Sequence, residues 1–144
     1  TDMVGPYGYC ADISRTFVCG NDFNNTQKEL YSMSLEQINH NSNLIKADMS
    51  FKEFTEKSWK LPEEYYGNRY SVMVHGIGLC DEWPSIRYPT DGGDKSGRFL
   101  KNMTITVESY IGKVGGKEGV KLEQQYLVGE NGLELMSHHP LEDI

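Results

Sequence analysis

The sequence predicts an α+β fold, an antiparallel sheet with helices packed on one face. Three observations carry that expectation. Segments near both ends alternate apolar and polar residues with period two, a middle stretch repeats its apolar residues at helical spacing, and the order is strands, helices, strands. At 144 residues the chain is the size of one domain, long enough to enclose a single core.

The first element is TDMVGPYGYCADISRTFVCG, where β-branched or aromatic residues alternate with small ones around the turn signal Gly5-Pro6. It reads as a two-stranded hairpin. From Thr26 the pattern changes: Thr26-x-x-Glu29 has the form of a capping box, and Leu30, Met33, Ile38 and Ile45 follow at helical spacing. A second box, Ser50-x-x-Glu53, opens a shorter helix through Phe51, Phe54 and Trp59 that must stop before Pro62. Beyond Tyr70 the chain is extended through SVMVHG, then loops from Trp83 to Gly97. Two further strands, MTITVESYI and VKLEQQYLV, precede the turn GENG and the segment LELM.

Composition removes several function classes. The net charge of -7, from 14 basic and 21 acidic residues, opposes a nucleic-acid surface, which needs a basic patch. No apolar run reaches the length of a membrane span, so a soluble protein is expected. Cys10, Cys19 and Cys80 form no CxxC pair and are odd in number, which points to a reducing cytoplasm. Cys80 reads as a small buried filler and His138-His139 as a solvated tail.

The informative anomaly is the placing of acids. Asp2 and Asp12 lie in the first hairpin, Glu108 follows Val107, and Glu123 follows Leu122, each inside an apolar or β-branched run. Buried carboxylates are costly without a compensating cation, and Lys121 is the one basic residue within those runs, with Arg15 just beyond the hairpin strands. A metal is the economical counter-charge, with His75 supplying a nitrogen ligand. Such a hard, oxygen-rich set suits two divalent ions such as manganese, iron, cobalt or zinc.

The ordered series Asp2, Asp12 within DISRT, His75 within HGIG, Glu108 and Glu123 resembles the five-ligand set of the creatinase, proline peptidase and methionine aminopeptidase superfamily. That resemblance implies the C-terminal part of a pita-bread fold with a curved sheet, forming one catalytic domain over residues 1–144. It also implies that Asp2 binds one metal, that His75 and Glu108 bind the other, and that Asp12 and Glu123 bridge them. Two departures mark an unusual branch: Ser109 stands where a proline is usual, and the two aspartates are ten positions apart, one fewer than in many members. Because the chain begins at the first ligand, the resemblance implies a piece of a longer protein. Its relatives commonly dimerise, so a homodimer is expected.

The stretch HGIGLCDEWP sharpens the resemblance. Peptidases of the superfamily carry a second histidine at the position that Glu82 occupies here, where it helps stabilise the tetrahedral intermediate. Losing such a group costs on the order of 10²–10⁴-fold in rate. CDEWP, together with NRYSVMVHGIGL and DISRTF, resembles the superfamily's dimethylsulfoniopropionate lyase branch, whose usual metal is iron. A small-molecule substrate, β-elimination to dimethyl sulfide and acrylate, and Asp81 as catalytic base follow from that resemblance. The dimethylsulfonium head has no hydrogen-bond donors, so aromatic faces must hold it at about 0.5–2 kcal/mol per contact, and Tyr70 and Trp83 flank the loop.

Two other readings stand beside it. One is an Xaa-Pro aminopeptidase or dipeptidase whose missing histidine is replaced from elsewhere. The other is a metal-free pita-bread protein that serves as a binding module, ranked last because all five ligand positions are kept.

Overall fold

The computed structural model describes residues 2–20 and 22–141. Two long strands form its centre, β5 (Thr104–Gly112) and β6 (Gly119–Val128), paired antiparallel from Thr104 opposite Leu127 to Gly112 opposite Gly119. The close approach at the hairpin end requires glycine: a Cβ on Gly119 would lie 2.5 Å from the Tyr110 hydroxyl. Around this pair the sheet runs β4 (Ser85–Arg87), β3 (Val72–Gly76), β5, β6, β7 (Leu133–Leu135), with every neighbour antiparallel.

One face of this sheet is covered by α1 (Asn25–Leu44), which packs across β5 and β6. Tyr31, Ile38, Phe54, Phe99, Ile105, Ile111 and Leu122 are fully enclosed in the resulting core. Each such burial contributes roughly 1.5–3 kcal/mol. α2 (Phe51–Lys57) adds Phe51 and Phe54, whose rings meet Phe99 edge to face at centroid distances of 4.9 and 5.7 Å.

The chain start lies outside the five-stranded sheet. β1 (Asp2–Val4) and β2 (Cys10–Asp12) form a separate two-stranded ribbon with Asp2 opposite Asp12. The residues after it then join the edge of β6: Ser14 bridges Glu123, and the Thr16 hydroxyl both donates to the Lys121 carbonyl (2.8 Å) and accepts from the Lys121 amide (3.0 Å). β7 takes the other half of that edge, pairing Leu135 with Tyr126.

Several expectations shift. The first cap is Asn24, not Thr26: its side chain accepts from the Gln27 amide while the Gln27 side chain reaches back to the Asn24 amide. Asparagine accepts more readily than threonine at this position, so the helix starts two residues early. The Ser50 cap holds, but α2 ends at Lys57 and leaves Trp59 outside. A one-turn helix, α3 (Glu63–Tyr66), and strand β4 lie in segments too short for periodicity to reveal. Cys80 is exposed, contrary to its reading as buried filler, because the loop carrying it stands clear of the core.

Candidate metal centre

The register of β5 and β6 sets Glu108 directly opposite Glu123 on the face turned away from α1. Like charges directly opposed are destabilising, and both residues are almost fully enclosed, at 2% and 1% exposure. β3 adds His75 beside Thr106, and the ribbon adds Asp12, which is also buried. The His75 Nδ1–H donates to the Gly76 carbonyl at 3.0 Å, which leaves Nε2 as the ring nitrogen facing the carboxylates. Nε2 lies 3.2 Å from Glu123 Oε1, 3.7 Å from Asp12 Oδ2 and 3.8 Å from Glu108 Oε1. Ligand atoms of Asp12, His75 and Glu123 all fall within 4.8 Å of one another.

Two neighbours steer the glutamates. The Ser14 hydroxyl donates to Glu123 Oε2 at 2.9 Å. The Lys121 ammonium holds Glu108 Oε2, lies 3.9 Å from Glu123 Oε2, and sits 4.2 Å above the Tyr70 ring. Glu108 Oε1 has no hydrogen-bond partner among the described residues although it is buried. An orphaned carboxylate oxygen beside an imidazole nitrogen aimed at carboxylates is a donor set that fits a cation.

The proton affinities agree. Burial, then a hydrogen bond to Asp2 and the charge of Glu123, push Asp12 up to about 8. Burial and Glu123 raise Glu108 to about 7, with Lys121 pulling against them. Burial disfavours the His75 cation, yet the bond to Glu123, the Gly76 carbonyl and the charge of Glu108 outweigh it and raise the ring to about 9. Glu123 is held low: burial opposes its charge, but His75, Lys121 and Ser14 all favour it. Without a cation the cluster retains protons to offset its own charge, and a divalent ion would displace them.

A cavity of about 230 Å³ opens over these groups, lined by Asp2, Asp12, Ser14, Tyr70, His75, Glu82, Glu108, Lys121 and Glu123. All five residues expected as ligands are therefore brought together, with Asp2 at the exposed rim. Tyr70 is also there, one face of its ring already taken by Lys121. Asp81 and Trp83 are not among the lining residues. Asp81 is exposed, and Trp83, 64% exposed, lines a separate groove with Ser85, Arg87, Gly93, Asp94 and Ser96. Glu82 lines both and accepts a long hydrogen bond, 3.4 Å, from the Tyr70 hydroxyl.

The loop reaches the cavity because Gly76 lets it. A Cβ there would lie 2.1 Å from the Trp83 carbonyl oxygen, and the Gly76 amide donates to the Pro84 carbonyl at 2.9 Å. Glu82 itself has φ 57°, a left-handed conformation uncommon for a residue with a side chain. The signal for Glu82 was present in the sequence, since it occupies the position where the peptidases have their second histidine. Its arrival in the cavity depended on the loop's path.

The sequence model of metallopeptidase family M24 matches residues 1–130. The chain belongs to metallopeptidase family M24. Members similar to it are metal-dependent enzymes. The dimethylsulfoniopropionate lyase DddP of Roseovarius nubinhibens is 36% identical over 99% of this chain, and that of Roseobacter denitrificans is 34% identical over the same share. An Xaa-Pro dipeptidase of Pyrococcus furiosus is 34% identical over 90%. The chain spans about a third of each relative's length, 32% of the two lyases and 36% of the dipeptidase. Among solved structures, the prolidase from Pyrococcus horikoshii superposes with a TM-score of 0.78 at 28% identity, covering 94% of this chain and 38% of that one. The Xaa-Pro dipeptidase from Bacillus anthracis gives 0.72 at 31% identity, covering 93% and 37%. The antiparallel sheet with its few helices is the C-terminal part of this pita-bread fold. No helix among the described residues is long and apolar enough to cross a membrane.

Proposed function

We propose that this chain carries the metal centre of a lyase that splits dimethylsulfoniopropionate into dimethyl sulfide and acrylate. The observation that carries the reading is position 82: the loop after His75 presents a carboxylate to the cavity where the peptidases of the family present an imidazole. A carboxylate there can accept a proton from carbon, whereas it cannot donate to a tetrahedral oxyanion once ionised. The similarity to two lyases over nearly the whole chain supports the same choice.

Asp2, Asp12, His75, Glu108 and Glu123 would hold two divalent ions, iron being favoured, and the orphaned Glu108 Oε1 and the aimed His75 Nε2 fit that role. Such ions supply positive charge to stabilise the anion that develops on the substrate carboxylate. The chain's own groups do the rest. A carboxylate takes the proton from the carbon next to the substrate carboxylate, the C–H electrons form the double bond, and the C–S bond breaks with its pair leaving on sulfur. The resemblance points to Asp81 as that base and the placement points to Glu82, two adjacent residues on one loop. Tyr70 offers its uncovered face to the sulfonium, and Trp83 stands at the neighbouring groove.

The test is headspace dimethyl sulfide released by the metal-loaded full-length protein. Wild type is expected to release it, and either Asp81→Asn or Glu82→Gln to reduce the rate by about 10²–10⁴-fold, which names the base. Hydrolysis of a proline dipeptide with no dimethyl sulfide would overturn the reading. That outcome would favour the second reading, an Xaa-Pro dipeptidase, which the close superposition on prolidases supports. Glu82→His would then increase peptide turnover.

A further inference from the structure

We propose that Arg15 is a positioning residue for the metal centre, holding Glu123 and the Asp12–Ser14 segment in register by tying both to the chain's C-terminal segment. The inference rests on reading the cavity as a metal centre, and the observation behind it is a separate one. The Arg15 guanidinium makes five hydrogen bonds, equal to its full set of N–H donors. Nη1 donates to the carbonyls of Ser14 (2.8 Å) and Glu123 (2.7 Å). Nη2 donates to Gln124 Oε1 and to the His139 carbonyl, and Nε donates to the Pro140 carbonyl (2.9 Å).

The arrangement matters because the bridge it supports is weak by itself. The Glu123 amide donates to the Ser14 carbonyl at 3.1 Å, but the return bond from the Ser14 amide to the Glu123 carbonyl is 3.4 Å long. Arg15 supplies the shorter contact to that same carbonyl. β7 does not reach this part of β6, since its pairing stops at Tyr126, so among the described residues no β7 pair secures the edge at Glu123. Beyond the Thr16 contacts to Lys121, what secures it is Ser14 from one side and, through Arg15, the segment Ser137–Pro140 from the other. Ser137 completes the clamp: its hydroxyl donates to Gln124 Oε1 at 2.7 Å and accepts from the Gln125 amide at 3.3 Å. Ser14 in turn bonds the Glu123 carboxylate and lies two residues after Asp12, so a shift of the guanidinium moves two ligands together.

A lysine cannot reproduce this. Its ammonium has three donors on a flexible stem, where the planar fork of arginine reaches acceptors on both sides at once. The experiment is a cobalt titration of the metal-free full-length protein, followed by visible absorption, for wild type, Arg15→Lys, Arg15→Gln and Ser14→Ala. Ile38→Val serves as a control that lowers stability from the helix side of the sheet. The expected result is cobalt binding weakened about tenfold or more in the Arg15 and Ser14 variants with an altered band shape, and unchanged in Ile38→Val. If Arg15→Gln does not fold, Arg15→Lys decides. Folded Arg15 variants with the wild-type affinity and spectrum overturn the role of Arg15 while leaving the metal centre intact. Absence of cobalt bands in wild type overturns both.

Discussion

Ser109 and Glu108 are neighbours on one strand, face opposite sides of the sheet, and solve opposite problems. On the side of α1 Ser109 is matched: its hydroxyl donates to Gln37 Oε1 and Gln37 Nε2 donates to the Tyr88 hydroxyl, both at 2.6 Å. On the other side Glu108 meets Glu123, another acid, and one of its oxygens is left without a partner among the described residues. Burial is equally complete on both sides. The difference lies in complementarity: neutral donors and acceptors that satisfy one another stabilise a core, whereas gathered carboxylates are tolerable only with something cationic still to come.

The largest effect expected from breaking this contrast is on the acid side. Glu123→Gln and His75→Ala should each lower metal affinity by at least about 10²-fold, beyond the loss typical of an outer-shell change, as read by metal analysis after dialysis. Gln37→Leu should leave metal content unchanged and instead destabilise the fold by about 1–3 kcal/mol in urea, because Ser109 and Tyr88 lose their partner. If Gln37→Leu also emptied the site, the two faces would not be independent.

Removing the metal sharpens the comparison through pH. In the metal-free protein Asp12 (raised to about 8), Glu108 (about 7) and His75 (about 9) all bind protons more tightly folded than unfolded. Stability from these groups is therefore fully present below their unfolded values and lost as pH rises through about 7 to 9. Glu123, held low, opposes this only at the acid end. Metal binding should tighten over the same rise, because it releases those protons. Urea midpoints across pH with and without metal check both statements.

The smallest effect is expected at Thr106, which pairs with His75 across β3 and β5 and whose hydroxyl is buried without a partner among the described residues. Thr106→Val should change stability by less than about 1 kcal/mol and, if at all, upward, since it removes an unsatisfied group at constant shape.

The sequence by itself determined the two central strands, the long helix and the odd placing of four acids and one histidine, because period-two and helical spacing are local and an acid in an apolar run is visible without a fold. It also marked Tyr70 and the unusual residue at position 82. What only the tertiary structure decided is which groups meet. The opposition of Glu108 and Glu123 depends on strand register, which a one-residue slip would destroy. Lys121, visible only as one basic residue in an acidic pattern, becomes the partner of Glu108. The entry of Glu82 into the cavity, with Asp81 outside its lining, follows from a loop seated against Gly76. The Arg15 clamp joins residues more than a hundred positions apart, a separation at which no local pattern carries information.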